Sequence, residues 1–119
     1  MNKPKLILGF QANGAIKSRR IIKFKDGNDA EVVQAAAKGD AMFGITSDLD
    51  VNGGEPVDVV LQGSASCEYG TNVEAGQLLT SDGEGRAVPA GNGDRTIGIA
   101  MQNGVVSDIG SVLINPSKI

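Results

Sequence analysis

Cys67 is the only cysteine among 119 residues and the chain has no histidine, so the side chains that most often do chemistry are nearly absent. A thiol attacks as its thiolate and needs a neighbouring base or cation to form it. Cys67 lies in SASCEYG, a strand-like run in which neighbours i and i+1 point to opposite faces, so Glu68 is badly placed to serve it. A small buried residue is the expectation at Cys67. A single cysteine also excludes an intramolecular disulfide and a cysteine-clustered zinc site. The densest carboxylates are Asp48 and Asp50 in SDLDVNGGE, which ends on Glu55. The D-x-D start is that of a calcium loop, but the glycine and the closing glutamate fall at the wrong offsets for an EF-hand. A polar loop, with at most a weak surface cation site, is what the pattern supports.

Nucleotide chemistry fares no better. The GxG of DGEGR, Asp82 to Arg86, lacks the third glycine and the strand–helix context that give a phosphate-binding turn its meaning. GDRTIGIAMQ, Gly93 to Gln102, is similar to the Gly-Asp-Arg strand motif of trimeric dUTPases, whose other motifs are missing. VEAGQLL is similar to lipoyl and biotinyl carrier domains, but no lysine stands between Lys38 and Lys118 to carry the group. No catalytic residue, cofactor or metal is expected, and the chain reads as a non-enzyme.

The elements that would position such residues are short and glycine-punctuated. With 17 glycines and 3% aromatics (Phe10, Phe24, Phe43 and Tyr69), the chain reads as one all-β domain with a core of Val, Ile, Leu and Ala. RRIIKFK (Arg19 to Lys25) alternates as a strand, Ile22 and Phe24 on one side and Ile21, Lys23 and Lys25 on the other. MFGIT, VDVVLQG, SASCEYG, GQLLTSD, RAVPA, RTIGIAM and SVLINP follow at a spacing of about ten residues, as in a sandwich or small barrel. Leu78, Leu79, Val88, Ile97 and Ile99 are the apolar residues expected to be buried in the run from Val73 to Gln102. One helix is expected over about 29–38: Asp29 or Asn28 can cap it, Glu31 suits its first turn, Lys38 its last and Gly39 its end. GDAMFGIT (Gly39 to Thr46) is echoed by GDRTIGIA (Gly93 to Ala100), each with an apolar strand after it, which suggests two related units closing one barrel.

Charge divides the chain. Residues 1–25 hold seven cations and no acid, whereas residues 26–119 hold four cations and all fourteen acids, or +7 against −10. Pro4, Gly9 and Gly14 interrupt any helix in residues 1–20, so these read as an extended basic arm on a body of residues 21–119. Such an arm suits an acidic protein surface or, as the alternative, single-stranded nucleic acid. The second is opposed by the acidic body and the scarcity of stacking aromatics. MNKPKLILGF lacks the uninterrupted apolar run and cleavage pattern of a signal peptide, and no segment reaches membrane-span length; synthesis in a reducing cytoplasm is expected.

AAAKGDAMFGIT (Ala35 to Thr46), VDVVLQGSA (Val57 to Ala65), VEAGQLLTSDGEGRAVPA (Val73 to Ala90), GDRTIGIAMQ (Gly93 to Gln102) and SVLINP (Ser111 to Pro116), in this order and spacing, resemble the capsid decoration, or cement, proteins of tailed bacteriophages. The resemblance implies a small β-tulip or barrel-like domain with one short helix, an N-terminal arm, and a homo-oligomer, commonly a trimer, on the outer capsid surface of the virion. It implies synthesis in the host bacterial cytoplasm, no catalysis, no cofactor, no membrane and no direct nucleic-acid partner. Its partner would be the major capsid protein, met by the arm in strand pairing. Leu6, Ile7, Leu8 and Phe10 would then supply apolar anchorage, and Lys3, Lys5, Lys17, Arg19 and Arg20 would meet acidic capsid groups. An arm of this composition should order only on docking, and several arms per oligomer would add through effective concentration. Deleting Met1 to Lys17 should then leave the body folded.

Overall fold

Ten strands and no helix run through the described residues, 6–25 and 31–118, of the computed structural model: β1 (Leu6–Ala12), β2 (Ile21–Phe24), β3 (Glu31–Gln34), β4 (Met42–Thr46), β5 (Pro56–Gln62), β6 (Ser64–Glu68), β7 (Leu78–Ser81), β8 (Ala87–Pro89), β9 (Arg95–Ala100) and β10 (Ile109–Lys118). β1, β3, β2, β4 and β5 close a five-stranded barrel, and the rest form a second sheet in the order β6-β10-β9-β7-β8.

Two cores follow from this arrangement. Five strands leave a narrow lumen, and small or branched side chains fill it: Ala12, Ile16, Ile22, Val32, Val57 and Val59. The chain's three phenylalanines gather where β2 ends and β4 begins, Phe24 stacked on Phe43 at 4.2 Å and Phe10 edge-on to both at 5.7 and 5.6 Å. The outer faces of β2, β4 and β5 contribute Ile21, Met42, Ile45 and Val60 to a second core, with Tyr69, Leu79, Ile97, Val112 and Ile114 from the other half of the molecule. β2 and β4 are therefore covered on both faces. That is why the adjacent Ile21 and Ile22 are both fully buried, one on each side of a period-two strand.

The expected helix is absent from the described part of its range. Glu31–Gln34 is a strand, paired antiparallel to β2 (Ile22↔Gln34, Lys23↔Val33, Phe24↔Val32) and parallel to β1 (Gln11↔Glu31, Ala12↔Val32); Asp29 and Ala30 lie outside the described residues. Barrel closure overrides local propensity here, since Val32 fills the lumen and the backbone of Glu31–Gln34 serves two neighbouring strands. The alanine run that follows turns instead: the Asp40 carboxylate accepts the Ala36 and Ala37 amides at 2.8 and 3.0 Å.

The expected arm is also revised. From Leu6 onward it is barrel wall, since β1 pairs with β5 from Leu6↔Gln62 to Gln11↔Pro56. Ile16, bridged to Val51, is 1% exposed. Met1–Lys5 lie outside the described residues. Removal of Met1 to Lys17 would take out β1, a strand of the closed barrel. The sequence echo lands in two sheets, not in one barrel: β4 pairs with the strand after it in the barrel, and β9 with the strand after it in the second sheet. Of the matching glycines, Gly44 and Gly98 both lie where a neighbouring strand leaves no room. A Cβ on Gly44 would sit 2.5 Å from Val59 Cγ1, and one on Gly98 would run into the Leu113 carbonyl.

Candidate functional site

Reactive groups are disposed for structure. Cys67 is fully buried, and burial pushes its thiol up to about 12, so almost no thiolate forms near neutrality. In the acidic loop, Asp50 accepts the Ser18 amide at 2.7 Å and Glu55 the Asn52 amide. Among the described residues no group of three His, Cys, Asp or Glu is placed to hold a metal ion. Burial alone would raise the Asp40 carboxyl, but the Ala36 amide, the Lys23 ammonium at 3.2 Å and the Ala37 amide together hold it below the usual carboxylate range.

The residues expected to make contacts fall in different places. Lys3 and Lys5 lie outside the described residues. Leu6, Ile7 and Leu8 stand on β1 at 40, 50 and 45% exposure, although β1 is otherwise hydrogen-bonded barrel wall. Period two puts Leu6 and Leu8 on the face that carries Phe10, and Ile7 on the other. Phe10 is half-buried in the aromatic cluster. Ile7 and Arg19 meet in a cleft of about 310 Å³ between the barrel and β6, apolar on Ile7, Val60 and Ala65 and polar on Arg19, Asp48 and Ser66. Arg19 has φ 55°, a left-handed conformation rare for a side-chain-bearing residue. Its amide donates to Ser47 O at 2.9 Å and its carbonyl accepts the Glu68 amide at 3.1 Å, which fixes the guanidinium's starting point at the cleft.

Arg20 is not a surface contact. It is 7% exposed, its amide donates to Thr46 Oγ1 at 3.0 Å and its Nη2 pairs with Glu68 Oε1 at 3.2 Å. Glu68 also faces Arg86 at 3.9 Å, and Arg86 holds Asp82 at 2.9 Å and Glu84 at 3.3 Å. This network joins the barrel to the second sheet. Lys17 stays exposed next to it.

A second surface was not singled out by sequence reasoning. Leu79 and Ile97 are buried as expected, but Leu78 is 41% exposed and Val88 and Ile99 are only half-buried. Ile99 is the register partner of both Leu78 and Leu113, so three large apolar side chains cross β7, β9 and β10 in one row. Met101, Val105, Val106 and Ile109, exposed by 44–53%, follow in the same half of the molecule. The paired leucines of GQLLTSD carried the signal, because adjacent strand residues cannot share a face.

The geometry thus offers contact surfaces on a rigid all-β body. The solved structure of the head fiber gp8.5 N base in bacteriophage phi29 has a similar fold, with a TM-score of 0.74, 20% identity and 98% of each chain covered. No curated protein matches the sequence. The family model described as phage cement protein matches residues 2–109, and the chain therefore belongs to the phage cement protein family, structural proteins associated with the bacteriophage capsid.

Proposed function

We propose that this protein is a non-enzymatic cement that binds the outer surface of the capsid through the major capsid protein and stabilises the shell. The observation that carries the reading, beside family membership, is the run Leu6, Ile7 and Leu8, about half exposed on a strand the barrel holds in place, beside a cleft with Arg19 at its wall. Apolar groups left in water on a rigid element mark a contact surface. Because β1 is preformed, docking needs little backbone ordering, unlike that of a free arm. The apolar row of Leu78, Ile99 and Leu113 supports association with further copies, a homotrimer in the simplest case, and several copies held together multiply modest contacts. The protein would be made in the host cytoplasm and meet the shell after assembly.

Co-sedimentation with the phage's own expanded shells tests this. The parent protein pellets with shells, and an Ile7→Asp, Leu8→Asp variant of unchanged circular dichroism stays in the supernatant; equal pelleting of the two would remove β1 from the interface. Beside the basic N-terminal sequence, Phe24, 40% exposed and next in sequence to Lys25, favours the single-stranded nucleic-acid alternative. A single ring locked onto Phe43 is a poor stacking platform. A salt-titrated anisotropy assay with labelled oligonucleotide should show no saturable complex, and a steep salt slope would favour that alternative.

A further inference from the structure

The second sheet ends on β6 at one side and β8 at the other, and the two edges are not alike. β8 is three residues long and ends on Pro89, and its outer side at Ala87 is bridged by Tyr69 and accepts the Gly70 amide. Short edges and prolines are how sheets usually refuse a further strand. β6 is not guarded in this way. Its flanking Gly63 carbonyl and Tyr69 amide bond to β10, at 2.9 Å to Ile114 N and 2.8 Å to Asp108 O, and the register between them runs unshifted from Leu113↔Ser64 to Ile109↔Glu68. Antiparallel pairing alternates, so Ala65 and Cys67 bond inward to β10 while Ser64, Ser66 and Glu68 turn their N–H and C=O to the open edge. The Glu68 amide is taken by Arg19 O at 3.1 Å. Arg19, at φ 55°, is not extended and cannot carry that ladder on, and among the described residues no strand pairs with Ser64 or Ser66 on this side. Ser66 is exposed. With Ala65 it forms one wall of the 310 Å³ cleft, and Ile7, Thr46 and Val60 of the barrel form the other. That volume matches the smaller ligand clefts, which start at about 300 Å³. Arg19 and Asp48 also line it, and among the described residues neither is ion-paired, so the cleft holds one charge of each sign.

We propose that β6 accepts an extended segment of the docking partner as an added strand, bonded to the Ser66 N–H and C=O, with an apolar side chain against Ile7, Val60 and Ala65. Unpaired main-chain groups on a strand edge are met best by another extended backbone. Balanced charge in the cleft suits an uncharged peptide stretch over a polyanion. The barrel bounds the cleft on the side away from β6, so a lone chain fits where the sheet edge of a second copy does not, since such a sheet would bring its next strand about 4.8 Å further into the barrel. The parts expected of the arm are thereby reversed: this protein offers the edge and the partner supplies the strand. That the partner is a capsid protein rests on the function proposed above; the open edge does not.

Two experiments on the full chain test this. In the first, the blocked peptide acetyl-Thr-Val-Thr-Val-Thr-amide is titrated while the Ser66 amide is followed by NMR, with the fully N-methylated peptide as control. A saturable shift with the first peptide and not with the control is expected, with hydrogen exchange slowed at Ser66 and unchanged at Cys67. No saturable shift, or an equal shift with the control, overturns the open edge as a strand acceptor. In the second, Ser66→Pro deletes the outward N–H at an edge position where proline is tolerated. With circular dichroism unchanged, it should bind expanded shells about tenfold more weakly than the parent, as a lost hydrogen bond to the partner requires. Equal binding overturns the part of β6 in docking, and equal binding with a shift from oligomer to monomer assigns the edge to a second copy instead. If Ser66→Pro does not fold, hydrogen exchange of the shell-bound parent takes its place: slowed exchange at Ser66 is expected, and unchanged exchange overturns the proposal. If the parent itself fails to bind shells, the proposed function falls, and the peptide titration still decides the edge.

Discussion

Replacing Arg20 by Met separates a junction residue from a capsid-contact residue. Met keeps the unbranched apolar stem of the side chain and deletes the guanidinium, so Glu68 loses the partner that holds it at 3.2 Å. Stranding one member of a buried ion pair costs about 3–5 kcal/mol. Two features lower that figure: Glu68 keeps Arg86 at 3.9 Å, and its side chain is 23% exposed, so water regains access. The substitution also removes the unpaired Arg20 Nε, which returns about 1 kcal/mol. The net loss is about 2 kcal/mol, or about 8 °C in Tm for a domain of this size. The chain has one tyrosine and no tryptophan, and Tyr69 is fully buried with its hydroxyl donating to Gln102 O at 2.9 Å. Tyrosine emission therefore reports the second half of the molecule while far-ultraviolet circular dichroism reports the whole. Both transitions should fall together in Arg20→Met. A Tm within about 1 °C of the parent would refute the junction role and return Arg20 to the surface.

Three further outcomes follow from the packing. Gly98→Ala should lose about 3 kcal/mol or more in urea unfolding, because its methyl meets the Leu113 carbonyl and β9 and β10 must part; a loss below about 0.5 kcal/mol would contradict that close approach. Leu113→Asp, at a site 43% exposed, should leave the fold intact and shift sedimentation from oligomer to monomer, whereas an unchanged oligomer would remove the apolar row from self-association. Cys67 should resist iodoacetamide at pH 8 until the protein is unfolded, since burial raises its thiol from 9.0 to about 12; rapid labelling of the native protein would contradict its burial. The sign is that of an acid held protonated by folding. Its contribution is full below the unfolded value near 9 and is lost as pH rises toward 12.

Most strands were legible because their signals are local. MFGIT, VDVVLQG and RTIGIAM combine β-branched residues with flanking turns, and they appear as β4, β5 and β9. Two readings went astray where the deciding contact is distant in sequence. Ala30 to Lys38 carries caps and alanines at helical spacing, yet Val32 fills a lumen that exists only once β1 and β2 have closed around it. Leu6 to Ala12 looked like an arm because of Gly9 and the nearby lysines, but its partner is β5, some fifty residues on. The sites divide in the same way. Leu6, Ile7 and Leu8 stand exposed on β1, whereas Arg20, which looks like Arg19 in sequence, is buried and faces Glu68 across the junction. The row of Leu78, Ile99 and Leu113 needed the strand register before it could be seen.

As a cement, this protein should make a phage shell harder to disrupt. Calorimetric melting of the phage's own expanded shells, with and without the protein, tests it most directly. At a free concentration one hundred times Kd, each bound copy should add about 2.7 kcal/mol to the intact shell, so the melting transition should rise with occupancy and reach a plateau at saturation. A transition unmoved by saturating protein would contradict the proposed cement function.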